Sequence, residues 1–255
     1  MRALLVSDLH YELPKFDWLL SGVDDLDVLV MAGDLLDIAS SVPLDVQIGV
    51  VLEYLTRLAA MVPTVVCSGN HDLDTRKDMG EKTGEKTTEW ILEARKAGVV
   101  VDGDSVTIRE WTITSCAWWE GPETLQRLER ALDDAASERG RFWMWAYHGP
   151  PDGPLSWTGS RNYGDPELPR LLERHSPDVV LCGHVHEAPY VPDGAWVEQR
   201  GNTWLFNGGR VRGAVPAHVV LDLDGRVASW WSTEGAVETS FGAPVRAPVR
   251  EESAQ

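Results

Sequence analysis

The sequence predicts an α/β fold built on parallel strands, and three observations carry that prediction. Short apolar runs alternate with helical stretches through the first half of the chain, and residues of metal-ligand type stand directly after those runs. A chain of 255 residues is also long enough to bury a sizeable core.

Arg2–Val6, 27–31 and Thr64–Cys67 read as strands. Between the last two, Val46, Val50, Val51, Leu55 and Leu58 recur at helical spacing, which predicts an amphipathic helix over 44–61. A βαβαβ start of this kind implies parallel pairing with right-handed crossovers. A helix is expected over 85–97, then strands at 99–101, Ser105–Ile108 and Trp111–Cys116, with Arg109-Glu110 as a tight turn. A charged helix, 123–139, leads into the strand Phe142–Tyr147, in which Trp143 and Trp145 share one face as core residues. A Pro/Gly-rich loop, a helix at 166–174 and a strand at 178–182 follow. Strands at 203–206, 218–223 and 227–231 complete the fold, with Asp224-Gly225 as a hairpin turn. Residues 1–240 read as one domain without repeat or linker, and 241–255, rich in Pro, Ala and charge, as a disordered tail.

Lys plus Arg number 23 against 40 Asp plus Glu, a net charge of −17. Such a surface argues against extended contact with a nucleic-acid backbone, which needs clustered cations. Cys67, Cys116 and Cys182 are odd in number and adjoin apolar runs, as small buried hydrophobes in a reducing compartment do. The apolar start ends at Asp8, too short for a signal-peptide core, and no apolar run is long enough to span a membrane. The expected location is the cytoplasm, and a homo-oligomer is compatible with the sequence.

Five stretches hold most of the chemistry: Asp8-Leu9-His10, Gly33-Asp34-Leu35-Leu36-Asp37, Gly69-Asn70-His71-Asp72, Tyr147-His148-Gly149 and Gly183-His184-Val185-His186. Only His175 and His218 of the seven histidines fall outside them, and those two read as structural. Asp8 with His10, and His184 with His186, share an i, i+2 spacing that in extended backbone puts both side chains on one side. Asp8, Asp34 and Asn70 each follow a strand, at the carboxyl ends where α/β sheets bind ligands. Carboxylate, amide oxygen and imidazole without thiolate suit Mn, Fe, Zn, Co or Ni rather than a cluster or a structural zinc. Gly33, Gly69 and Gly183 precede ligands where the chain must leave a strand sharply.

In order and spacing these blocks resemble the calcineurin-like metallophosphoesterase family, from Arg2 to about Arg212. The resemblance implies a four-layer αββα sandwich and two divalent metal ions, with Mn or Fe favoured. One ion would be held by Asp8, His10, Asp34 and His186, the other by Asp34, Asn70, His148 and His184, so that Asp34 bridges them. It further implies that His71 faces the substrate, to stabilise the transition state or protonate the leaving oxygen, and that Asp37 hydrogen-bonds and orients it. Two cations about 3.5–4 Å apart can share a hydroxide and clamp the attacking and leaving oxygens of an in-line displacement at phosphorus.

The sequence departs from three branches of that family. Asp37 is followed by Ile38-Ala39 and Gly69 preceded by Ser68, unlike the protein serine/threonine phosphatases. His71 stands where the lipid A pathway pyrophosphatases have arginine, and there is no room for the capping domain of the DNA-repair nucleases. His148-Gly149-Pro150-Pro151 resembles a small group whose members hydrolyse 2′,3′-cyclic nucleotides or aryl phosphodiesters. The expected activity is hydrolysis of a small phosphodiester such as a cyclic nucleotide. The alternatives are a phosphomonoesterase, a non-catalytic metal-binding scaffold and, against the charge, a nuclease. Trp118, Trp119 and Trp157 fall in loops near the expected site, where they would pack or stack on a substrate ring. The loop from Gly153 to Gly164 is a candidate cover over substrate, and Arg76 and Arg161 are candidate phosphate contacts.

Overall fold

A computed structural model describes residues 1–78 and 81–242, with backbone alone for 75–78 and 81–86. In chain order the strands are β1 (Arg2–Val6), β2 (Val28–Ala32), β3 (Thr64–Cys67), β4 (Asp74–Asp78), β5 (Glu81–Thr87), β6 (Ser105–Ile108), β7 (Trp111–Cys116), β8 (Phe142–Tyr147), β9 (Val179–Cys182), β10 (Val197–Arg200), β11 (Thr203–Asn207), β12 (His218–Asp222), β13 (Val227–Ser232) and β14 (Gly235–Ser240). The helices are α1 (Leu13–Gly22), α2 (Leu44–Ala59), α3 (Pro122–Glu138) and α4 (Leu168–His175).

Two six-stranded mixed sheets form, in the orders β14-β13-β12-β1-β2-β3 and β10-β11-β9-β8-β7-β6. The neighbours β1-β2-β3 run parallel, as do β7-β8-β9-β11. Alternation along the strands sorts apolar residues into three layers. Ala3, Leu5, Val30, Cys67, Ile113, Met144, Leu181, Phe206 and Leu221 meet between the sheets. The opposite face of the first sheet, with Leu4, Val6, Met31 and Val66, packs under Phe16 and Leu19 of α1 and Val51, Leu55 and Leu58 of α2. Trp143, Trp145, Val180 and Leu205 of the second sheet pack under Leu128 and Leu132 of α3 and Leu168 and Leu171 of α4. The result is the expected four-layer αββα sandwich, in which Trp143 and Trp145 are core residues.

The structure differs from the sequence reading in several places, among them the added strands β4 and β10. Helix α1 has no counterpart there, although Phe16, Leu19 and Val23 keep helical spacing and are buried. The helix expected at 85–97 is instead β5 followed by a 3₁₀ segment, Glu89–Ala97. Gly84, Thr87 and Thr88 are weak helix formers, and the Trp90 indole N–H bonds the carbonyl of Asp72 at 2.7 Å, drawing this segment onto the site. The strand at 99–101 reduces to a single bridge between Val65 and Val100. Phe241, expected in a disordered tail, follows the added edge strand β14 and is buried against Trp204 and Phe206, while 243–255 lie outside the described residues.

The turns expected at Arg109-Glu110 and Asp224-Gly225 are present. Arg109 takes φ 54° between β6 and β7. The Asp222 carboxylate accepts the N–H groups of Asp224 and Gly225 to shape the second turn. Among the described residues no helix is long and apolar enough to cross a membrane.

Candidate metal centre

The carboxyl ends of β1, β2, β3, β8 and β9 converge, and each delivers one of the expected donor blocks. The loops after β1 and β2 are zipped together: Asp8, His10 and Tyr11 donate their backbone N–H groups to Gly33, Asp34 and Leu35 at 2.8–3.0 Å. Asp8, His10, Asp34 and His184 all have positive φ, between 44° and 70°. That backbone region costs a non-glycine residue about 1–3 kcal/mol and persists where the surroundings enforce it. Gly69 is required for space rather than φ, because a Cβ there would stand 2.3 Å from Asp34 Oδ1.

Two groups of donors result. Asp8, His10, Asp34 and His186 each place one ligand atom within 4.8 Å of the others, and so do Asp34, His148 and His184. Asp34 belongs to both. His10 Nε2 and His186 Nε2 stand 3.1 Å apart, a separation of two imidazole nitrogens that calls for a proton or a cation between them. Asn70 Oδ1 lies 2.8 Å from His184 Nδ1 and 3.2 Å from His148 Nε2, which brings it into the second group. His148 donates Nδ1–H to the carbonyl of Ala32 at 2.7 Å, so its Nε2 faces Asp34, 3.3 Å away. Two carboxylates, an amide oxygen and four imidazoles, with no thiolate, fit a divalent transition-metal ion. All three cysteines are buried away from the donors as small apolar groups, as expected.

The charges couple tightly. Burial acts to raise the Asp8 carboxyl, but His186, His148 and His10 outweigh it and hold it well below the usual carboxylate range. Burial opposes charge on His148 as well, yet Asp34 beside it pushes the ring up to about 9. His10 and His184 are pulled down to about 4, chiefly by burial. The site therefore holds its anionic carboxylates ionised and presents His10 and His184 as neutral donors.

His71 stands beside this centre, its ring edge-on to His10 with centroids 4.4 Å apart. Its backbone N–H donates to Asp34 Oδ1, and its Nδ1 is buried with no hydrogen-bond partner. The hydrogen bond expected from Asp37 is not made. The Asp37 carboxylate is within 4.8 Å of a His71 ring nitrogen, but its Oδ1 accepts the N–H of Ala39. That i to i+2 contact is local and competes with the longer reach to His71.

Two features of the centre, the role of Asp72 and the bond from Ser68 to Asp102, go beyond the sequence reading. Asp72, fully buried, accepts the backbone N–H groups of Asp34, Leu35, Leu36 and Gly69, tying the second block to the third. Burial, then the charge of Asp34, push its carboxyl up to about 7 against the bonds from Gly69 and Leu36. Its place directly after His71 was the available signal. The Trp118 ring lies 5.5 Å from both His148 and His184, and Ser68 Oγ, which accepts the Trp118 backbone N–H, donates to the half-buried Asp102. Trp119 is instead a packing residue whose indole N–H bonds Tyr147 and Asp165, and the Trp157 indole bonds the carbonyl of Pro192.

A cavity of about 570 Å³ opens over the centre, floored by Asp34, Asn70, His71, His184 and His186 and walled by Thr158, Ser160, Arg161, Tyr163 and Glu187. The loop carrying that wall is a small braced hairpin, with Thr158 N–H to Arg161, Tyr163 N–H to Ser156 and a bridge between Trp157 and Asn162. Arg161 lies over the ring of Tyr163 at 4.3 Å. Arg76, the other expected phosphate contact, has a side chain outside the described residues. His175 and His218 lie away from the centre, in contact with Trp143 and Trp145 and with Trp18 and Trp231 respectively.

Residues 1–188 match the calcineurin-like phosphoesterase family, and the chain belongs to that family. Among solved structures it is similar to the protein TT1561 of Thermus thermophilus, with a TM-score of 0.58 and 15% identity over 94% of this chain and 98% of that one. It is also similar to the purple acid phosphatase PPD1 from yellow lupin seeds, with a TM-score of 0.54 and 13% identity over 94% of this chain and 53% of that one. These likenesses show the fold. No curated protein matches the chain in sequence. Family membership and the donor cluster together support metal-dependent phosphoester hydrolysis as the class of reaction.

Proposed function

We propose that this protein hydrolyses a small phosphodiester with two divalent metal ions, and the sharing of Asp34 between two donor groups is the observation that carries the reading. Asp8, His10, Asp34 and His186 would hold one ion, and Asp34, Asn70, His148 and His184 the other, with Mn or Fe favoured. When bound, such a pair supplies positive charge to the phosphoryl oxygens and lowers the pKa of the attacking water.

The chain's own groups do the rest. Only Asp8 and Asp34 of the seven donors are anionic, which leaves the centre net positive toward a phosphate ester. Asn70 contributes an oxygen without charge. His71 faces the same cavity and would give a proton to the leaving oxygen, with the Asp37 carboxylate within 4.8 Å of its ring. Thr158, Ser160 and Arg161 are placed to receive the rest of the substrate. The wall carries Arg161 and Glu187 together, a balance of charge that suits the single negative charge of a diester better than the double charge of a monoester.

The test is hydrolysis of bis(p-nitrophenyl) phosphate beside p-nitrophenyl phosphate by chelator-stripped protein, with and without Mn²⁺. Turnover that requires Mn²⁺ and favours the diester is expected. Metal-loaded, folded protein inert on both would contradict the reading and favour a non-catalytic scaffold.

A further inference from the structure

The loop after β11 lies beyond the residues matched to the family, yet it runs against the donor pair at His184 and His186. Asn207, the buried last residue of β11, donates its amide N–H groups to the carbonyls of Val185 and Leu155, both at 3.0 Å. Its Oδ1 accepts the N–H of Gly209 at 2.9 Å. Gly209 has φ +66°, and a Cβ there would stand 2.9 Å from the carbonyl oxygen of His186, so a glycine lets the loop come this close. Arg210 then donates its backbone N–H to that same carbonyl at 3.2 Å.

The Arg210 side chain reaches the other half of the centre. Its Nη2 donates to Glu12 Oε1 at 2.6 Å, across 198 positions of sequence, and Glu12 ends the loop that carries Asp8 and His10. Lys15, whose side chain is 1% exposed, meets the same oxygen at 3.2 Å. One carboxylate therefore joins the first turn of α1, the loop after β1 and the loop after β11. The join matters most to His186. Its side chain is 29% exposed while Asp8, His10 and Asp34 are at most 3% exposed, and among the described residues the ion pair, ring contact and hydrogen-bond-distance contact of its ring are with Asp8 and His10. Its position depends on its backbone, which the loop after β11 holds at two successive carbonyls.

We infer that Arg210 is a positioning residue for the four-donor group: with Glu12 it clamps the loop bearing His186 to the loop bearing Asp8 and His10, with Asn207 as the anchor. The inference rests on the metal-centre reading proposed above. Residues that hold ligands in place typically cost about 10–100-fold in metal affinity when removed.

The experiment is calorimetric titration of the stripped full-length protein with Mn²⁺ alone, for the wild type, Arg210→Met, Arg210→Lys and Glu12→Gln, each checked by circular dichroism. Arg210→Met should weaken one binding step by about 10–100-fold and leave the other unchanged, Arg210→Lys should recover part of the loss, and Glu12→Gln should weaken the same step. Should Arg210→Met fail to fold, Glu12→Gln and Arg210→Lys read the same step. Variants that bind both ions as the wild type does would overturn the clamp and leave the metal reading standing. A wild type that binds no Mn²⁺ would overturn both.

Discussion

Asp72 and His71 are neighbours with opposite jobs. Asp72 turns inward and organises four backbone N–H groups around Asp34, while His71 faces the cavity with a ring nitrogen that has no partner. Replacing His71 with Ala removes a proton donor and none of the seven proposed donors. Its expected effect is a loss of about 10²–10⁴-fold in turnover with Mn²⁺ stoichiometry unchanged, measured by steady-state kinetics beside metal analysis. Turnover at the wild-type level would remove His71 from the chemistry. The donors were legible because their blocks follow apolar runs and four of them fall in i, i+2 pairs, Asp8 with His10 and His184 with His186. The Glu12–Arg210 pair was not, because its partners are joined only by the fold and a lone charged residue usually points to solvent. The Asp37–His71 contact was expected from resemblance, and the local pull of the Ala39 N–H on Asp37 is information that spacing does not carry.

Among the elements, alternation was the signal that survived. In β8, Trp143 and Trp145 face α3 and α4 while Met144 faces the other sheet, as a period of two requires. Trp143 is fully buried and donates its indole N–H to Thr114 Oγ1 at 2.8 Å. Trp143→Ala should cost about 3–5 kcal/mol in chemical denaturation while folded molecules keep their metal stoichiometry. A cost under about 1 kcal/mol would mean that this layer does not hold the sandwich as described. Elements without a long apolar period were misread or passed over. The segment at 85–97 has helical composition at its end but is recruited to the centre through Trp90, and the exposed edge strand β14 carries little apolar pattern.

At the scale of the molecule, a net charge of −17 is borne by a chain that collects two buried carboxylates and four imidazoles at one edge. A divalent ion held there by the folded state alone would stabilise the fold by linkage. Free Mn²⁺ at about a hundred times its Kd should stabilise the fold by about 2.7 kcal/mol per site. Differential scanning calorimetry should show a higher Tm with Mn²⁺ than with chelator, and equal values would argue against a preformed site. The αββα architecture was expected from a family resemblance that both sheets now support. Its physical basis is the carboxyl-end convergence of five parallel strands drawn from two sheets, which no single segment of sequence displays.

The proposed chemistry turns on one carboxylate, Asp34, serving two ions. Equilibrium dialysis of the stripped full-length chain against Mn²⁺, for the wild type and Asp34→Ala, measures this directly. Two ions per wild-type chain and marked loss at both sites in Asp34→Ala are the predicted result. A single ion per chain, or a folded Asp34→Ala protein that keeps two ions at wild-type affinity, would contradict it.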